Sequence, residues 1–148
     1  MALLDKQLVF SDAQEFLTGT TVSTNTVDLG AVGTVPFVGG SPSLYPSRGS
    51  DMKVLVQVVT TCTSGGSNTT EANVITSAAA ALTSPTVIAS SEAIAVATLV
   101  AGYKFRGMAL TPHTAQRYLG VQYVVAAADL TAGAFDAWLA LDAQTTIL

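Results

Sequence analysis

Between Met52 and Thr61 the apolar side chains recur at every second residue. Met52, Val54, Val56 and Val58 form one face, while the odd positions carry Lys53 and Gln57 together with Leu55 and Val59. A repeat of two is the repeat of a pleated strand. The mixed odd face predicts a strand covered on one side and half covered on the other. From Ala134 to Asp142, Phe135, Ala137, Leu139 and Leu141 point one way and Asp136, Trp138 and Asp142 the other. From Arg117 to Val125, Leu119, Val121, Tyr123 and Val125 alternate with Tyr118, Gly120 and Gln122, and further back Tyr103 and Phe105 alternate with Lys104 and Arg106. Each alternation predicts a strand with one buried face.

Weaker strand signals lie at Gln7–Ser11, Thr20–Leu29, Glu71–Ser77, Thr86–Ser90 and Ile94–Val100. Between them stand runs of turn residues: Gly39-Gly40-Ser41-Pro42, Ser47 to Asp51, Ser64 to Asn68 and Thr131-Ala132-Gly133. The one helical candidate is the Ala-rich run Thr76–Leu82, which ends before Ser84-Pro85 and is too short to be stable alone. Short strands about ten residues apart, joined by such turns, predict an all-β chain: a jelly-roll-like antiparallel β-sandwich forming one domain over residues 1–148. Residues 30–51 form a long loop with Pro36, Pro42 and Pro46, yet they also carry Val35, Phe37, Val38, Leu44 and Tyr45. Two readings fit: these side chains cap the end of the sandwich, or the loop is an arm lying on a partner.

Composition narrows the function. Only 11% of the 148 residues are charged, with six Lys and Arg against ten Asp and Glu, a net charge of −4. Ordinary domains carry about 25% charged residues. Without a basic cluster the chain cannot neutralise a row of phosphates, so nucleic acid is not an expected partner. A sparsely charged surface costs little to desolvate, which favours burial against another protein. Cys62 is the one cysteine, so no intramolecular disulfide forms and no oxidising compartment is required. The start, Met1 to Gln7, lacks the basic and apolar regions of a signal peptide. The weakly polar stretch from Ala78 to Gly102 is broken by Ser84-Pro85, Ser90-Ser91 and Glu92, whereas a membrane span needs about 20 apolar residues. A soluble cytosolic product with no membrane partner is expected.

The chemistry of known catalysts is hard to assemble from these residues, and no enzyme activity, cofactor or metal is expected. His113, the one histidine, sits in the turn-like Thr111-Pro112-His113-Thr114, and a metal site needs several ligands held together. No Gly-x-Ser-x-Gly elbow accompanies it, although a hydrolase built on His113 with a distant Ser and Asp is not removed by counting. Cys62 ends an apolar strand among threonines with no base or cation beside it, which predicts a buried, inert thiol. Asp136 and Asp142 lie six residues, roughly 20 Å, apart along a strand. A glycosidase pair needs about 5–10 Å.

Surface is what remains. Alternation turns Trp138, the single tryptophan, away from Phe135 and Leu139. It is either an anchor against another chain or buried beneath the 30–51 loop. The chain start is apolar for a terminus, with Leu3, Leu4, Leu8 and Phe10, so residues 1–10 are expected to be an arm that docks on something. The expected interface residues are Leu3, Leu4, Leu8, Phe10, Phe37, Tyr45 and Trp138.

The opening Met-Ala-Leu-Leu-Asp-Lys-Gln-Leu-Val-Phe-Ser-Asp-Ala-Gln (1–14) resembles the start of the small capsid cement, or decoration, proteins of tailed bacteriophages, especially the Bordetella-phage-like podovirus group. In order, Val22-Ser23-Thr24-Asn25 with Val27 to Gly30, Leu82 to Thr86, and Ile94 to Tyr103 look like that family's first long strand and central strands. Arg117-Tyr118-Leu119, Tyr123, Leu130 to Gly133 and Asp142-Ala143-Gln144 look like its last hairpin and tail. The resemblance runs over most of the chain and is weakest at Gly30–Asp51 and Cys62–Thr70. It implies a jelly-roll-like sandwich, made in the host cytoplasm, that clamps the outside of the shell and cements neighbouring major capsid proteins. It also implies a homodimer near two-fold axes, with a trimer as the alternative. A receptor- or glycan-binding virion module is the rival reading, and it predicts a groove lined by Trp138, Tyr45 and Tyr118.

Overall fold

The computed structural model describes residues 6–30, 33–34, 43–44, 52–110 and 116–140. Twelve strands lie among them: β1 (Val9–Glu15), β2 (Thr20–Val22), β3 (Val27–Asp28), β4 (Gly33–Thr34), β5 (Ser43–Leu44), β6 (Lys53–Ser64), β7 (Thr69–Ser77), β8 (Thr86–Ser90), β9 (Ile94–Ala95), β10 (Met108–Ala109), β11 (Tyr118–Ala126) and β12 (Leu130–Ala140). Every pairing is antiparallel. One sheet has the order β1-β12-β6-β10 and the second is built on β2-β11-β7-β8. In the second sheet β3 continues the lane of β2 along β11, and β9 continues the lane of β8 along β7. Leaving aside the small β4–β5 ladder, the chain fills eight lanes in sequence, arranged 1-8-3-6 in one sheet and 2-7-4-5 in the other. That is the strand order of a jelly roll, and the chain is an all-β sandwich.

The period-two positions explain which sheet faces meet. Val54, Val56 and Val58 of β6, Phe135, Ala137 and Leu139 of β12, and Leu119, Val121, Tyr123 and Val125 of β11 are all buried in one core. Its centre is aromatic. Phe16 stacks on Tyr123 with ring centroids 4.4 Å apart and lies 4.5 Å from Phe135. The Tyr123 hydroxyl, buried among these rings, donates to Ser11 Oγ at 2.9 Å, which in turn donates to Gln14 Oε1 at 2.7 Å. A buried phenol needs such a partner, and the chain from Tyr123 to Gln14 supplies it.

Two outer lanes are broken at a buried serine: Ser23 inside the expected strand Thr20–Leu29, and Ser91 between the expected strands Thr86–Ser90 and Ile94–Val100. Ser23 N–H donates to Val121 O at 2.7 Å while Ser23 Oγ accepts from Val121 N at 3.1 Å. Ser91 does the same to Ala72, through N–H at 2.8 Å and Oγ at 3.0 Å. The hydroxyl replaces the ladder carbonyl, so the central strand keeps its bonds while the lane turns away. Thr20–Leu29 is therefore two strands, and Ile94–Val100 is a two-residue strand followed by a single 3-10 turn, Val96–Thr98.

Tyr103–Arg106 is not a regular strand. It runs beside β6, with Val58 N–H donating to Tyr103 O and Phe105 N–H donating to Val56 O, but its one bridge is Gln57 to Lys104. Gly102, at φ +89°, turns the lane just before it. Its alternation still holds, because Phe105 is buried while Lys104 and Arg106 are exposed. The Ala-rich run contains no helix. Thr76 and Ser77 end β7, and the following turn places Leu82 over the bare backbone of Gly120 on the outer side of the second sheet.

Candidate functional site

The outer face of the four-stranded sheet is built from the residues that alternate with the core. β12 turns Asp136, Trp138 and Ala140 outward, and β6 turns Lys53, Leu55 and Gln57 outward. The register sets Trp138 opposite Leu55 on one side and opposite Val9 of β1 on the other. Cross-strand neighbours on one face stand about 5 Å apart at Cβ, so the three side chains form a continuous apolar strip. Trp138, Leu55 and Val9 are each half-buried, and Leu8, just before β1, is 37% exposed. The strip ends at Gly107, where an added Cβ would stand 3.2 Å from Leu55 Cδ2 and 3.8 Å from Lys53 Cδ. Leu55 and the stem of Lys53 thus lean across a position that carries no side chain of its own.

Charge on this face is sparse and partly engaged. Asp136 Oδ1 accepts the Ala13 N–H at 2.7 Å, at a β1 bulge where Ala13 has φ +44°. Lys53 and Lys104 flank the strip without an ion pair, since the ion pair found among the described residues is Asp28–Arg117 at 2.9 Å on the other sheet. A half-exposed tryptophan with aliphatic cross-strand neighbours and charged groups at the rim is the composition of an interface core.

The expected interface residues fall into three groups. Leu8 and Trp138 are both partly exposed, with Leu8 at the end of the turn before β1 and Trp138 opposite Val9 of that strand. Phe10 is corrected: it is 0% exposed in the domain's own core, and its backbone carbonyl accepts from Asn25 N–H at 2.9 Å. The expected arm at 1–10 therefore cannot include Val9 and Phe10, which belong to the sheet. Leu3, Leu4, Phe37 and Tyr45 lie outside the described residues, as do His113 and Asp142. Leu55 and Gly107 were missed as site residues, although Leu55 on the odd face of β6 carried the signal.

The chemical alternatives find little here. Burial pushes the Cys62 thiol up to about 11, the opposite of what a nucleophile needs. Among the described residues no group of three or more His, Cys, Asp or Glu side chains could hold a metal, and no helix is long and apolar enough to cross a membrane. Tyr118 belongs to the outer face of the second sheet, with the Arg117 guanidinium 5.1 Å from its ring centroid. Trp138 lies on the opposite outer face of the sandwich, so one groove cannot hold both aromatics.

Comparison with known proteins adds a family. The model of the family described as Bbp16 matches residues 10–139, a span that begins within β1 and ends within β12. No curated protein matches the chain.

Proposed function

The chain belongs to the Bbp16 family, whose name points to a protein of a Bordetella phage, and from that premise we propose that it is a structural virion protein that cements the capsid. In this reading it is not an enzyme. It binds the outside of the shell, contacts neighbouring copies of the major capsid protein and works as a homodimer. The observation that carries the proposal is the strip Val9–Trp138–Leu55, an apolar anchor on the outer sheet face with Asp136 and Lys53 at its rim. The eight-lane jelly roll supports it by supplying a rigid platform for that face.

The physics suits the role. A shell repeats each contact many times, so a single bridge of the standard size, about 1,200–2,000 Å², suffices. Sedimentation of the protein with cement-free shells of its phage tests the proposal, with bound copies counted at saturation. A fixed number of copies per shell subunit and greater survival on heating are expected. Trp138→Ala should fold normally and bind at least roughly 30-fold more weakly, the cost of about 2 kcal/mol typical of a central anchor. Removal of residues 1–5, which spares Phe10, isolates the contribution of the chain start. A folded protein that ignores shells would overturn the cement reading and direct attention to a glycan screen.

A further inference from the structure

The two seams of the sandwich are unlike each other. On one side β1 is stitched to the lane of β2 and β3. Gln14 Nε2 donates to Val22 O at 2.9 Å, Gln14 Oε1 accepts from Thr24 N–H at 2.9 Å, and Asn25 N–H donates to Phe10 O at 2.9 Å. On the other side, where β8 borders β10, no hydrogen bond joins the sheets among the described residues. A cleft of about 270 Å³ lies there, lined among others by Ala89, Ser90, Glu92, Arg106, Gly107 and Met108.

The edge beside this cleft is poorly protected. β8 reads Thr86-Val87-Ile88-Ala89-Ser90, pairs among the described residues with β7 alone and leaves Val87 47% exposed. Native edges are usually blunted by Lys, Pro or inward charges. β8 has none of these within it, and among the described residues its protection comes from its shortness, the preceding Pro85 and one bulge between Val87 and Ala89. Its β-branched composition favours pairing. Arg106 and Glu92 line the cleft, and neither has an ion-pair partner among the described residues. Gly107 belongs both to the cleft and to the end of the Trp138 strip, so the two surfaces are continuous.

We infer that the open seam between β8 and β10 receives an extended segment of a shell subunit as an added strand on β8, with an acidic side chain of that segment against Arg106 and a basic one against Glu92. Main-chain ladder bonds supply the affinity of such an addition, and the rim charges select the register. The inference rests on the cement reading and deepens it: bridging neighbours requires more than one contact, and the seam continues the strip around the edge of the molecule.

The test is hydrogen exchange of the full chain, free and bound to cement-free shells, together with sedimentation of Arg106→Glu and Arg106→Lys. On binding, the amides of Thr86–Ser90 should slow by at least about tenfold. Arg106→Glu should lose affinity on the order of tenfold or more, while Arg106→Lys stays near the parent. Binding by the parent with unchanged exchange at Thr86–Ser90 and an indifferent Arg106→Glu overturns the seam but leaves the cement reading standing. Protection of β8 that grows with protein concentration in the absence of shells assigns the seam to a second copy instead. Failure of the parent to bind shells overturns both.

Discussion

Gly133 is constrained twice over, by its backbone and by its neighbour. It sits in β12 where the ladder with β6 slips. Ala132 pairs with Thr63 and Ala134 with Thr60, so Thr61 and Cys62 together oppose one glycine. Its φ of +151° lies where L side chains are strained, and a Cβ added there would stand 2.8 Å from Cys62 Sγ and 3.5 Å from Cys62 Cα and Cβ. Gly133→Ala therefore incurs two separable costs. Backbone strain in a glycine-only region is worth about 1–3 kcal/mol. Overpacking against a buried sulfur that cannot retreat is worth about 1–3 kcal/mol. Together they predict a loss of about 2–6 kcal/mol, or a fall in Tm on the order of 4–24 °C for a chain of this size. Urea unfolding of the single variants and the pair separates the two costs. Cys62→Ala alone should cost about 1 kcal/mol, as for an ordinary buried truncation. The double variant should be more stable than the summed singles by about 1–3 kcal/mol, because the sulfur is gone while the backbone strain persists. Additivity within about 0.5 kcal/mol would refute the clash and leave the backbone as the whole cause.

Three further outcomes follow from single side chains. Tyr123→Phe removes a buried donor to Ser11 and should cost about 1 kcal/mol in urea unfolding, with the core rings unmoved. Burial of Cys62 should protect it from a thiol reagent at pH 8 in the native protein and release it in denaturant; prompt labelling of the native state would contradict the burial. The hydrogen bond from Arg117 holds the Asp28 carboxyl below its ordinary value of 3.8, helped by the Gly30 N–H. A depressed folded value gives stability that is present above pH 3.8 and lost as pH falls through the lower folded value. Asp28→Asn should flatten that acid limb, and carboxyl titration by NMR should place Asp28 below 3.8.

The sandwich itself was legible along the chain because its strands bury one face each. Alternation at Met52–Thr61, Arg117–Val125 and Ala134–Asp142 marks three of the four central strands, β6, β11 and β12, whereas β7 is buried at consecutive positions and carries only a weak signal. Alternation also turned Trp138 outward, and the apolar strand before Cys62 pointed to its burial. The reach of alternation ended where side chains replaced ladder bonds. Ser23 read as an ordinary polar strand residue and Ser91 as a polar interruption, and only their position over Val121 and Ala72 shows that their hydroxyls replace ladder carbonyls. Phe10 looked like part of an apolar arm although Gln7–Ser11 carries a weak strand signal, because nothing local shows that its partner is β12, more than a hundred residues later. The same distance hides the strip and the seam. Trp138 meets Val9 and Leu55 through cross-strand register, and β8 meets β10 through the closure of the sandwich, which no local pattern encodes. Local periodicity determines which side of a strand is wet. Which strands are neighbours, and therefore which wet residues make one surface, is decided by long-range pairing in the folded chain.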